Sequence, residues 1–161
     1  MRRQPAGLFR SRRTKALQPP AIPWTSTETG RPRALLECPP DMSPSIVSRV
    51  LEREGLDVIV CQGPNSREQC PATHGDYCAP MQAVDAVVNM LGTRRPEQAA
   101  VLPSVAATGP RPPAILAVVG PDHPDTAGVQ TVGYRATGSE IVAAVHQALA
   151  GRDRALPSWD A

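Results

Sequence analysis

A chain of 161 residues with 41% hydrophobic side chains can close one hydrophobic core, and its charges nearly balance at a net +2. Aromatics make up only 3%, so that core has to be built from Val, Leu, Ile and Ala. No run of about 18 apolar residues occurs, which excludes a membrane-spanning helix. No apolar stretch follows the basic start, so no signal peptide is expected and a cytoplasmic, reducing address is the default.

The charge is unevenly placed. Of the 17 basic groups, eight fall in residues 1–33 (Arg2, Arg3, Arg10, Arg12, Arg13, Lys15, Arg31, Arg33), leaving nine; of the 15 acids only Glu28 falls there, leaving 14. The remainder is therefore mildly acidic, which argues against a nucleic-acid surface on the folded part. Residues 1–33, rich in Pro, Arg, Ser and Thr with Trp24 isolated among them, read as a disordered basic arm. Such an arm fits nucleic-acid or membrane tethering, an Arg-rich transit peptide, or an extension without a role.

Ala34 to Cys38 is an apolar run that stops at Pro39-Pro40 and reads as a first strand. Ser43 as N-cap and Pro44 at the first helical position then open a helix, with Ile46, Val47, Val50 and Leu51 as its apolar face and Gly55 as its stop. Asp57 to Cys61 is β-branched and reads as a second, buried strand. Met81 to Val84 suggests a helical turn and Asp85 to Leu91 a third strand. A helix is expected from Pro96 to Ala107, shortened or kinked by Pro103. Pro113 to Gly120 is a fourth strand and Val129 to Tyr134 a fifth. Between them Asp122, His123 and Asp125 read as a solvated turn rather than a metal or acid–base site. The last helix has the strongest signals: Thr137-Gly-Ser-Glu140 is a capping box, Ile141, Val142, Val145, Ala148 and Leu149 form a stripe, and Gly151 is its expected end. His146 falls off that stripe, at the surface.

Apolar strands alternating with helices predict a parallel sheet covered on both faces, a three-layer doubly wound α/β domain over residues 34–150 with a flexible tail at 151–161. Five such units resemble the flavodoxin-like arrangement with strand order 2-1-3-4-5. The size and the closing capped helix resemble a response-regulator receiver domain (CheY-like). The resemblance implies a pocket at the carboxyl ends of the strands, and there the receiver's working residues are missing. In place of the acidic pair stands Glu37 followed by Cys38 and two prolines; in place of the phosphorylated Asp stands Asn89 or Met90. Val119 or Gly120 replaces the Ser/Thr, and Tyr134-Arg135 stands near the absent Lys. An amide cannot take a phosphoryl group as a carboxylate does, and one acid is a poor Mg²⁺ site. The resemblance therefore implies a pseudo-receiver: a regulatory or protein-interaction module, a candidate homodimer through its last strand and helix, with vestigial pocket residues Glu37, Asn89, Tyr134 and Arg135.

The stretch from Cys61 to Pro80 is long for a connection, is studded with Pro and Gly, and holds Cys61, Cys70 and Cys78 together with His74. Ordering it calls for cross-links. Cys38 and Cys61 would end adjacent strands about 4.8 Å apart. Four Cys, or three Cys plus His74, suit a tetrahedral structural Zn²⁺. The spacings, eight residues between Cys61 and Cys70 and seven between Cys70 and Cys78, are not those of the common zinc knuckle. Metal, a disulfide such as Cys70–Cys78, and free thiols all remain open.

Cys38-Pro-Pro-Asp-Met-Ser43-Pro-Ser45 also resembles the phosphocysteine loop of phosphotransferase-system EIIB domains. That resemblance implies an alternative, a phosphocarrier or redox enzyme using Cys38. Three prolines and Asp41 spoil the anion-binding amides such a loop needs. No Gly-rich nucleotide fingerprint follows any strand.

Overall fold

The computed structural model describes residues 29–64, 70–74, 78–92, 95–106, 113–120 and 129–155. The expectations for the arm up to residue 28, including Trp24, and for Asp122, His123 and Asp125 fall outside these. Five short strands, β1 (Arg33–Glu37), β2 (Asp57–Cys61), β3 (Ala86–Asn89), β4 (Ala114–Val119) and β5 (Gln130–Gly133), form one sheet in the order β2-β1-β3-β4-β5. Every neighbouring pair is parallel. β2 has the bounds expected of it and β1 is shifted one residue earlier, to start at Arg33, while β3, β4 and β5 are shorter than their apolar runs suggest by one or two residues at each end.

Alternation along each strand divides the core in two. Leu36, Val88 and Leu116 point to one side and meet Leu51, Leu56, Ile141 and Val145 from α1 (Ser45–Arg53), its exit and α5 (Gly138–Ala155). Leu35, Val87 and Ile115 point to the other and meet Met81, Val101, Leu102 and Val105 from α2 (Ala79–Gln82) and α4 (Val101–Ala106). The result is the three-layer, doubly wound arrangement expected.

Several local expectations need correction. Pro44 rather than Ser43 is the N-cap of α1; Pro44 O accepts the Ser48 N–H, and the Ser43 hydroxyl pairs with that of Ser45 instead of capping. Ile46 is 73% exposed, so the apolar face of α1 is narrower than its sequence suggests. The helix after β3 is split into α3 (Pro96–Ala99) and α4, with the break at Ala100. Pro103 has no N–H to give Ala99, so the interruption lies one turn upstream of the proline. The capping box forms as read: Thr137 N donates to Glu140 Oε2 at 2.7 Å and Glu140 N to Thr137 Oγ1 at 3.3 Å.

Helix α5 does not stop at Gly151 but runs to Ala155. Just beyond the glycine, Arg152 donates from Nη1 to the Asp85 carbonyl at 2.7 Å and lies 3.5 Å from Asp85 Oδ1. Asp85 Oδ2 in turn accepts the Arg33 N–H at 2.9 Å, so one acidic residue ties β1, the start of β3 and the end of α5 together. Charge-assisted hydrogen bonds contribute more than neutral ones. Arg152→Ala should cost about 1–3 kcal/mol of stability in urea denaturation; a variant as stable as the wild type would show that this contact does not hold the helix end.

Candidate functional site

The carboxyl ends of the strands carry one row of side chains across the sheet. Glu37, last in β1, sits in register between Cys61, last in β2, and Asn89, last in β3; Asn89 is followed by Ala117 in β4 and Thr131 in β5. Register partners in a parallel sheet share a face, so the row tops the layer covered by α2 and α4. Glu37 is 1% exposed and Asn89 4%.

These two polar groups satisfy one another. Asn89 Nδ2 donates to Glu37 Oε2 at 2.6 Å, and Asn89 Oδ1 accepts the Leu91 N–H at 3.2 Å. Burial drives the Glu37 carboxyl from an ordinary 4.5 up to about 7, with the Asn89 hydrogen bond working in the opposite direction. At neutral pH burial therefore holds on to a proton that an ordinary carboxyl would have released. Both ends of the Asn89 amide are engaged, one by the acid and one by the backbone leaving β3. The sequence singled out Glu37 and Asn89 separately. Each is the polar side chain that closes an otherwise apolar strand run, and the register of β1 with β3 is what makes them meet.

Tyr134 and Arg135 do not join this pair. They follow β5, three strands from β1 or about 14 Å across the sheet. Tyr134 is 59% exposed, and the Arg135 guanidinium lies 5.3 Å from its ring centroid, a surface cation–π contact.

The cysteines distribute differently. Cys61, Cys70 and Cys78 all pack, half-buried, against the core layer that Glu37 and Asn89 top. Burial pushes the Cys61 thiol up to about 11; the Gly63 N–H, which donates to Cys61 Sγ at 3.3 Å, opposes this, and the charges of Glu37, Cys70 and Cys78 add to it. Burial also raises the Cys78 thiol, with Cys70 and Glu37 among the charges it feels. Gly63 takes φ +66°, and a Cβ there would come within 2.8 Å of the Leu91 side chain, so the loop leaves β2 pressed against the exit of β3.

Part of the connection expected to be plain loop is a 3-10 turn, Pro71–His74, with Ala72 buried and the Thr73 hydroxyl donating to the Cys70 carbonyl at 2.7 Å. His74 is exposed on that turn. All four cysteines are free thiols, and among the described residues no three His, Cys, Asp or Glu side chains are gathered as metal ligands. Cys38 is fully buried, and its N–H extends the β1–β2 ladder by donating to the Cys61 carbonyl at 2.9 Å. Burial raises its thiol above the ordinary range, whereas a nucleophilic cysteine needs exposure and a lowered value.

With that geometry in view, the fold can be placed. A receiver domain protein from Bacillus halodurans superposes with a TM-score of 0.56 at 13% identity, over 73% of this chain and 97% of its own. A receiver domain protein from Clostridium thermocellum gives 0.58 at 14%, over 78% and 99%. A sensor protein from Polaromonas gives 0.55 at 17%, over 76% and 98%. No protein-family model matches the sequence, and no curated protein does. The chain thus has the CheY-like fold of response-regulator receiver domains. Among its described residues, no helix is long and apolar enough to cross a membrane.

Proposed function

We propose that this protein is a non-catalytic, receiver-like regulatory or protein-interaction module whose pocket does not run a phosphorelay. One observation carries the reading: the last residue of β3 is Asn89, an amide spent on Glu37 and on the Leu91 N–H. An amide oxygen cannot form the acyl phosphate a receiver uses, and a buried carboxyl titrating near 7 is a weak partner for Mg²⁺. Acetyl phosphate with Mg²⁺ is expected to label no aspartate, and Mg²⁺ is expected to leave thermal stability unchanged. An acyl phosphate found by mass spectrometry would overturn the reading.

The module works through a protein partner, in the cytoplasm, with no part in membrane binding or nucleic-acid recognition by the folded domain. The exposed Tyr134 beside edge strand β5 supports contact with a second copy through β5 and α5. The domain carries the basic arm ahead of it and a short tail behind. The alternative, Cys38 as the nucleophile of a phosphocarrier or redox enzyme, has the buried, raised thiol of Cys38 against it.

The cysteine loop is the module's second feature. Cys61, Cys70 and Cys78 share one core layer, which supports a disulfide between two of them; a Zn²⁺ ion with Cys38 or His74 as a fourth ligand would need these side chains drawn closer together than they stand. A disulfide closing a loop of this size is worth about 2–3 kcal/mol. Native mass spectrometry of protein from reducing and oxidising preparations should show bound zinc or the loss of two hydrogens per disulfide. Four alkylatable thiols in both, with an unchanged melting point in Cys70→Ser, would leave these cysteines as small apolar packing groups only.

A further inference from the structure

The exits of β2 and β3 meet over the end of β1. In the sheet β1 lies between these two strands, and two strand spacings put Cys61 and Asn89 about 10 Å apart. Two residues further along each chain the gap has closed. A Cβ on Gly63 would stand 2.8 Å from Leu91 Cδ2 and 2.9 Å from Leu91 Cδ1, so the Gly63 backbone rests on that side chain. The chain leaving β1 does not fill the space between. The Cys38 N–H still donates to the Cys61 carbonyl at 2.9 Å, and a turn in which the Met42 N–H donates to the Pro39 carbonyl at 3.0 Å leads to α1, on the opposite face. Residues 61–64 thus form a strap across the end of β1, on the side where Glu37 closes its strand.

We infer that this strap is a gate over the Glu37–Asn89 pair, with Leu91 as its latch: the pocket at the strand ends is reached only when Gly63 and Leu91 part. In open parallel sheets the carboxyl ends of the strands are where ligands enter, yet here both polar side chains are closed to water. Leu91 is buried in the layer that the pair tops, and Pro64 on the strap is buried as well. The latch also adjoins the pair directly, since the Leu91 N–H donates to Asn89 Oδ1 at 3.2 Å.

The closure is lightly held, which makes it a gate rather than more core. The bend of the strap is fixed by the Gly63 N–H on Cys61 Sγ at 3.3 Å, and a thiol sulfur is a weak acceptor. Gly63 brings no side chain to the contact, Gln62 is exposed, and among the described residues no backbone hydrogen bond joins residues 62–64 to the exit of β3. Parting one apolar contact costs far less than separating paired strands, so the strap opens while the sheet stays intact. The inference goes beyond the absence of a phosphorelay, because it concerns access to the pocket and its test uses no phosphodonor.

The test is labelling of the full-length protein with a water-soluble carbodiimide and glycinamide, read by peptide mass spectrometry, with exposed Glu54 as internal reference. In the wild type Glu37 should react about tenfold or more slowly than Glu54, and native-state hydrogen exchange should show the Leu91 amide opening about tenfold or more often than the Val88 amide within β3. Leu91→Ala removes the latch, and Gly63→Ala drives a Cβ against it; each should speed Glu37 labelling about tenfold. Two controls separate the gate from lost stability. Gly55→Ala imposes the same left-handed strain, at φ +87°, with nothing within 4 Å. Leu102→Ala empties the same core layer away from the strap. Both should leave Glu37 as slow as in the wild type. Should Leu91→Ala fail to fold, Leu91→Val shortens the latch and should give the same ordering. Glu37 labelled as fast as Glu54 in the wild type, labelling unchanged by loss of the latch, equal labelling in the controls, or a Leu91 amide that exchanges only together with Val88 would each overturn the gate.

Discussion

Replacing Glu37 with Gln should raise stability at pH 8 by about 3 kcal/mol while leaving it nearly unchanged at pH 4. The carboxyl is 1% exposed, and its proton is held in the fold up to about pH 7. The unfolded chain releases that proton near the ordinary 4.5. Between these values the folded state binds more protons than the unfolded one, so the stability contributed by the protonated form is complete below about 4.5. It is lost as pH rises and is gone above about 7. Gln keeps an oxygen for the Asn89 Nδ2–H donor and carries no charge to desolvate, so the variant should lack this slope. Urea denaturation of both proteins across pH 4–9 reads the difference directly. Curves that run parallel would mean that Glu37 titrates like an exposed acid and that the pair is not sealed.

That slope gives the pocket a character different from a receiver's. In place of a cluster of ionised acids around a cation, it holds one acid near its own midpoint, with Cys61 and Cys78 above their ordinary range on the same side of the sheet. Each shift is caused first by burial, and the charge of Glu37 raises both thiols further. Ionising any one of the three makes ionising the others harder, so the rim favours neutral groups.

The sheet was legible because its strands are uninterrupted aliphatic runs. Ala34 to Leu36, Ala86 to Val88 and Ala114 to Val118 leave little but a buried parallel sheet for such segments to form. The capping box of α5 was legible because Thr137 and Glu140 act within one turn. What failed to show in the sequence depends on distant partners. Nothing near Gly151 announces that Arg152 will find Asp85, 67 residues away, and carry the helix past it. Ile46 matches the helical period as well as Val47 does, but Val47 packs against the core and Ile46 is left exposed, a difference set by the tertiary neighbours of α1 rather than by its own pattern. At the site, residue types were readable and pairings were not. Glu37 and Asn89 are 52 residues apart, and only the register of β1 with β3 brings them within a hydrogen bond. Tyr134 and Arg135 follow a short edge strand three places from β1, which separates them from that pair.

The pairing makes a second large effect expected, from a substitution that changes little in volume. Asn89→Asp puts a second carboxyl where an amide donates to Glu37 at 2.6 Å. Two acids at that separation in a site nearly closed to water cannot both ionise, and they titrate as a coupled pair sharing a proton. The unfolded chain ionises both freely above about pH 5. The variant should therefore lose stability progressively with pH, by about 3–5 kcal/mol relative to wild type at pH 8, the range for an uncompensated buried charge. Near pH 4 the loss should be small, because the introduced carboxyl, when protonated, still donates to Glu37. The companion Glu37→Gln in the same chain should recover most of the loss: its amide then donates to the carboxylate introduced at position 89, reversing the hydrogen bond without removing it. The four proteins form a double-mutant cycle measured by denaturation at pH 4 and pH 8. A coupling that is large at pH 8 and small at pH 4 is the expected result. Losses that simply add would mean that the two side chains do not meet, and would remove the ground for reading the pocket as a closed Glu37–Asn89 pair.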